Sequence, residues 1–75
     1  MSNPLIDKIE DVLNAAVGSV FAKASVEVAC RSAGVKADDI TRTDLPVIAE
    51  KLKDGLSLLF GVAVAESVEL KVKGL

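Results

Sequence analysis

The stretch Asp44-Leu-Pro-Val-Ile-Ala-Glu-Lys-Leu-Lys-Asp-Gly-Leu-Ser-Leu-Leu-Phe60 decides the fold class. At about 100° per residue, Leu45, Ile48, Ala49, Leu52, Leu56, Leu59 and Phe60 fall within a band of about 120°, the i, i+3, i+4, i+7 spacing of a core-facing helix. Val47 and Leu58 lie on the other side, near Lys51 and Asp54, and are surplus to a monomer core. The start needs a choice. Thr41-Arg-Thr-Asp44 reads as a capping box, but a helix begun there sets Pro46 at its fifth position, where the missing N–H and the ring are damaging. Thr43 or Asp44 as N-cap keeps Pro46 in the first turn. Gly61 ends the helix.

Upstream, Asn3-Pro4 supplies a polar N-cap followed by the residue best suited to a first helical position. Leu5, Ile6, Ile9, Val12, Leu13, Ala16 and Val17 then share one face, with Asp7, Glu10, Asp11 and Asn14 opposite, and Gly18 is the stop. The segment from Ser19 to Ala33 differs. Lys23, Glu27 and Arg31 form one narrow stripe of two opposite-sign i, i+4 pairs. Apolar and small residues wrap the remaining circumference, which makes this the central helix and a candidate subunit contact. Gly34 suits its C′ position. Residues 35–42 follow as a loop with Val35 and Ile40 as apolar anchors.

The last segment, from Val62 onward, has two readings. A strand over 66–72 suits its valines, but no second segment offers itself for pairing, and a lone strand leaves its backbone unpaired. A helix puts Val64, Ala65, Val68, Val72 and Leu75 on one face and pairs Glu69 with Lys73 at i, i+4, with lysines near the C-terminal end. The helix is preferred. The expected architecture is therefore all-α, one compact bundle over residues 1–75 with four short helices near 4–17, 19–33, 44–60 and 62–73, and no internal repeat. The alternative is three helices plus a C-terminal strand.

Composition removes whole classes of function. The chain has no His, Trp or Tyr, a single Cys and a formal net charge of −2. Intramolecular disulfides and a structural zinc site are excluded. The pI near 4.9 argues against nucleic acid and anionic lipid, which need a basic face. Acidic residues at 7, 10 and 11 interrupt any secretory signal, and the uncharged run 55–65 is far short of the roughly 20 residues that span a bilayer. A cytoplasmic protein is expected.

Two runs have a familiar order: Val17-Gly18-Ser19-Val20 opening a helix before Ala33-Gly34-Val35, and Ile40-Thr41 leading to Asp44-Leu45-Pro46, Ile48-Ala49 and Leu52. This order, over about residues 17–70, resembles small helical segments in bacterial proteins of unassigned role, some beside signalling or regulatory domains. Where such segments often carry Gly-Pro, this chain has Gly18-Ser19. The resemblance implies an all-helical fold and a non-catalytic role, with no ligand or active-site residue to carry over.

Individual residues offer little chemistry. Cys30 lies near the C-terminal end of its helix, away from the N-terminal field that activates thiols, and reads as a packed apolar residue. Asp38, Asp39 and Asp44 lack the alternate spacing, turn glycine and late Glu of a calcium loop. Gly18-Ser19 has neither the glycines and Lys of a phosphate loop nor the Asp-Ser-Leu-like motif of an acyl carrier. Residues 26–52 have too long a connection, and too many acids on the second helix, for a DNA-reading helix-turn-helix.

The sequence thus predicts a non-enzymatic protein–protein interaction module without cofactor, metal or catalytic residues. It self-associates or serves as a small subunit of a regulatory assembly. Ala22, Val26, Ala29, Val47, Leu58 and Leu70 are the interface candidates, because apolar residues beyond what a core absorbs mark contact sites. The alternative is a small carrier or apolar-ligand binder with a pocket between helices.

Overall fold

Two single glycines turn four helices back on one another. In the computed structural model, which describes residues 3–75, the helices are α1 Pro4–Val17, α2 Ser19–Ala33, α3 Leu45–Phe60 and α4 Val62–Lys73. Only Gly18 separates α1 from α2, and only Gly61 separates α3 from α4. The expected spans agree to within one residue, and the strand alternative for 66–72 falls away. Ala65, Val68 and Val72 are buried at helical spacing. Glu69 sits between Lys73 at 3.4 Å on its own helix and Lys53 at 3.8 Å on α3.

The two corners are the same device. Gly18 has φ 89°, ψ 160° and Gly61 has φ 91°, ψ 164°, a region essentially closed to other residues. Each glycine N–H closes the helix before it, donating to the carbonyl of Asn14 or Ser57 at 3.2 Å. Each glycine carbonyl opens the helix after it, accepting from Ala22 at 3.0 Å or Ala65 at 3.2 Å. One residue thus serves as C-cap and N-cap at once.

The likeness extends into the core. Shifting the chain by 43 residues, the interval from Gly18 to Gly61, lays Ile9 on Leu52, Leu13 on Leu56, Ala22 on Ala65 and Ala29 on Val72, all buried. The same shift lays the charge-free run 12–22 on the charge-free run 55–65. The residues differ in identity at most matched positions, so the repeat lives in burial and charge rather than in letters. The expectation of no internal repeat holds for residue identity alone.

The connection between the halves is more ordered than a plain loop. Gly34 takes the left-handed conformation (φ 74°), with Val35 N–H returning to the Cys30 carbonyl. Two 3-10 turns follow, Ala37–Asp39 and Arg42–Asp44, with the expected anchor Ile40 buried between them. The capping-box signature at Thr41 belongs to the second turn. The Asp44 carboxylate accepts from the Thr41 N–H at 2.9 Å, and the Asp44 N–H donates to the Thr41 carbonyl at 2.9 Å. Asp44 therefore stands at the N-cap of α3, as expected, but its side chain makes no capping bond to that helix, and Pro46 stands in the first turn as anticipated. Asn3 ties this connection to α1. Its Oδ1 accepts from Leu5 N–H at 2.9 Å, while its Nδ2 donates to the carbonyls of Asp38 (3.1 Å) and Ile40 (3.0 Å). Arg42 likewise reaches the Leu75 backbone oxygen.

The core is wholly aliphatic at its centre, with Ile9, Leu13, Ile48, Leu52, Leu56, Val68 and Val72 the largest fully buried side chains. Among the described residues no buried side chain is polar or charged.

Two outcomes follow from these local structures. Gly61→Ala lowers the urea midpoint by an amount equivalent to about 1–3 kcal/mol. A Cβ there meets nothing within 4 Å, so the whole loss comes from the backbone, and an unchanged midpoint contradicts the assignment. Asn3→Asp keeps the helix cap but loses both donated bonds. It therefore speeds amide exchange across residues 38–41 more than it lowers α1 stability, whereas Asn3→Ala lowers both.

A candidate docking surface

The two corners lie at one end of the bundle. Phe21, three residues after Gly18, meets Phe60, immediately before Gly61, edge to face with ring centroids 5.4 Å apart. On another side of that end, Ala15 and Ala16 of α1 share a shallow groove with Ala63 and Val64 of α4. Both charge-free runs therefore meet here, and the exposed apolar residues gather with them. Val20, Phe21, Leu58, Leu59 and Val62 all stand within three residues of a corner glycine. Leu58 is 88% exposed and Val20 81%.

From this end a groove of about 260 Å³ runs between α2 and α3. Its α2 wall is Phe21, Ala24, Ser25 and Val28, spaced i, i+3, i+4, i+7. Its α3 wall is Lys51, Gly55 and Leu59, spaced i, i+4, i+8, and the core residues Ala29, Leu52 and Leu56 form its floor. Lys51 is the one charged residue in this lining. Val47 and Leu58 share a helical stripe with Lys51, so they flank the α3 wall.

Gly55 stands out within that wall. A glycine inside a helix costs about 0.5–1 kcal/mol relative to alanine. Nothing in the fold requires this one. Its φ is not positive, and a Cβ built there meets no atom within 4 Å. Its effect is to leave the groove open.

Three of the six expected contact residues are core residues, of which Ala29 alone also reaches the groove floor. Ala22, Val26 and Ala29 are buried at 2% exposure or less, packed into the core of their own chain. The physical reason is the nearly all-round apolar character of α2, which left its rotation about its own axis open. Its small-residue edge is the inward face. Val47, Leu58 and Leu70 are exposed as expected. None of the three lines either groove, but Val47 and Leu58 flank the α3 wall whereas Leu70 stands on α4. Leu59, read as a core residue, is 68% exposed. The sequence reading missed Val20, Phe21, Val28 and Val62. The signal that could have found Val20, Phe21 and Val62 was the pair of equal charge-free runs, each centred near a glycine, whereas Val28 lies outside both runs.

Cys30 is buried, and burial, followed by the nearby Asp44 carboxylate, pushes its thiol above the ordinary value near 9. Among the described residues no group of three metal-ligating side chains comes together. Nor, among those residues, is any helix long and apolar enough to cross a membrane.

The thiol has a measurable consequence. Because the folded protein holds the Cys30 proton more tightly than the unfolded chain, the unfolded state loses it first as pH rises. Stability is unaffected by this group below pH ~9 and declines above it, and Cys30→Ala removes that part of the decline in urea titrations. Alkylation of native protein is slow at neutral pH. Rapid native alkylation contradicts the placement.

No protein-family model, no curated protein and no solved structure matches this chain, so its surface geometry carries the functional reading.

Proposed function

We propose that this chain is a non-catalytic protein–protein interaction module, acting by self-association or as a small subunit of a regulatory assembly. The observation that carries this reading is the concentration of exposed apolar side chains at the corner end and along the α2–α3 groove. Contiguous apolar surface of this kind is a contact site in soluble proteins, since water penalises leaving it bare. The composition supports a non-catalytic role, because carboxylates and lysines alone would have to move protons near neutral pH.

The carrier or apolar-ligand reading would use the same groove. Sites for small molecules occupy about 300–1,000 Å³ and enclose most of the ligand. A groove of 260 Å³, open along the surface, better suits side chains from a protein partner.

The test pairs sedimentation velocity with affinity capture from source cells, using the wild-type chain, Leu58→Asp and Leu70→Asp. Wild-type protein associates with itself or with a specific protein. Leu58→Asp weakens that association, and Leu70→Asp, outside both grooves, changes it little, while helical circular dichroism is kept in both. Absence of any association, or a prosthetic group found by intact mass of the cellular protein, overturns the reading.

A further inference from the structure

We infer that the occupant of the α2–α3 groove is a second copy of this chain, joined about a two-fold axis so that Leu58 of each copy seats over Gly55 of the other. The inference rests on the interaction reading above and adds the partner and the register.

Three observations point to it. Symmetry comes first: a two-fold interface needs knob and hole on one face, so that each copy offers both. Leu58, the most exposed large apolar residue, and Gly55, the unexplained opening, are three residues apart on α3 and so are neighbours on its surface. With no side chain at Gly55, two α3 helices can approach closely about an axis between these positions.

Area comes second. Val20, Phe21, Val28, Leu58, Leu59 and Val62 together expose the equivalent of about four whole large residues. That is on the order of 600–700 Å² per copy, close to the ~800 Å² that a standard interface takes from each partner.

Charge is the third. The runs 12–22 and 55–65 bring no charge to this end, and the charged residues beside Leu58 on α3, Lys51 and Asp54, are opposite in sign, so two copies meet there without a block of like charge. The same charges speak against a lipid surface. The residues bounding the runs are Asp11, Lys23, Asp54 and Glu66, three acids to one base, where an anionic bilayer calls for lysines and arginines.

The test uses Gly55→Leu and Leu58→Ala in the full chain. Gly55→Leu fills the hole from the groove side, since a Cβ there meets nothing within 4 Å and the position opens onto the groove. Its monomer melts no lower than wild type diluted until it too is monomeric, which separates loss of pairing from loss of folding. Each variant alone should dimerise at least about tenfold more weakly than wild type, by sedimentation equilibrium. Mixed together, the two should form a heterodimer more readily than either forms a homodimer. The intact Leu58 of one then enters the open Gly55 site of the other, and at the second contact the side chain added at 55 meets the shortened one at 58, which leaves it room.

Wild-type dimers, weakening by both variants and preferential heterodimers are the expected set. A wild-type chain that stays monomeric at millimolar concentration overturns the second-copy inference, and if it binds another protein in a Leu58-dependent way the interaction module itself survives. Dimers that ignore Gly55→Leu, or mixtures without preferred heterodimers, overturn the register.

Discussion

The glycine corners constrain everything else in this molecule. A one-residue connection cannot wander, so the direction of each following helix is set by the backbone angles of Gly18 and Gly61. Each corner hands its N–H and carbonyl to the flanking helices, and neither α2 nor α4 starts with a side-chain cap bond. That permits runs of eleven uncharged residues through each corner. The fold then brings the two runs to the same end. A device that economises on caps thereby produces an apolar pole.

This pole changes how the apolar richness of the chain should be understood. The protein exposes 4560 Å², close to the roughly 4400 Å² expected of any monomer of its mass. It is folded as tightly as its size allows, around an aliphatic core that contains no polar side chain among the described residues. What is unusual is placement. Apart from Leu70, the large exposed apolar residues are not scattered singly, which would be ordinary, but gathered at the corners and along one groove. The number of apolar residues alone does not reveal this, because number does not distinguish scatter from a patch.

The helices were legible because their signals were local. The i, i+4 ladder of Ile48, Leu52 and Leu56, the Asn3-Pro4 start and the glycine stops each act within a turn or two of chain. Even the ambiguous last segment yielded to a local pair, Glu69 with Lys73. The candidate site was only half legible. Val47 and Leu58 stood out because α3 has a clear polar side on which they are misplaced. On α2 no such contrast exists, and the choice between Ala22-Val26-Ala29 and Phe21-Val28 as the inward face depends on α3 and α4, elements far away in sequence. The small residues went inside because the helices pack closely there, and Phe21 was displaced outward to meet Phe60. The Asn3 bridge to Asp38 and Ile40 was illegible for the same reason, since nothing local joins residues so distant along the chain.

Whether the corner end and the groove meet a second copy in solution is best read residue by residue. Amide nitrogen–proton correlation spectra recorded on the wild-type chain from micromolar to millimolar concentration do this directly. Resonances of 20–28 and 51–62 should move together with concentration, while those of 36–44 and 69–74 stay fixed. Spectra that do not change with concentration, or changes confined to the 36–44 connection, would contradict it.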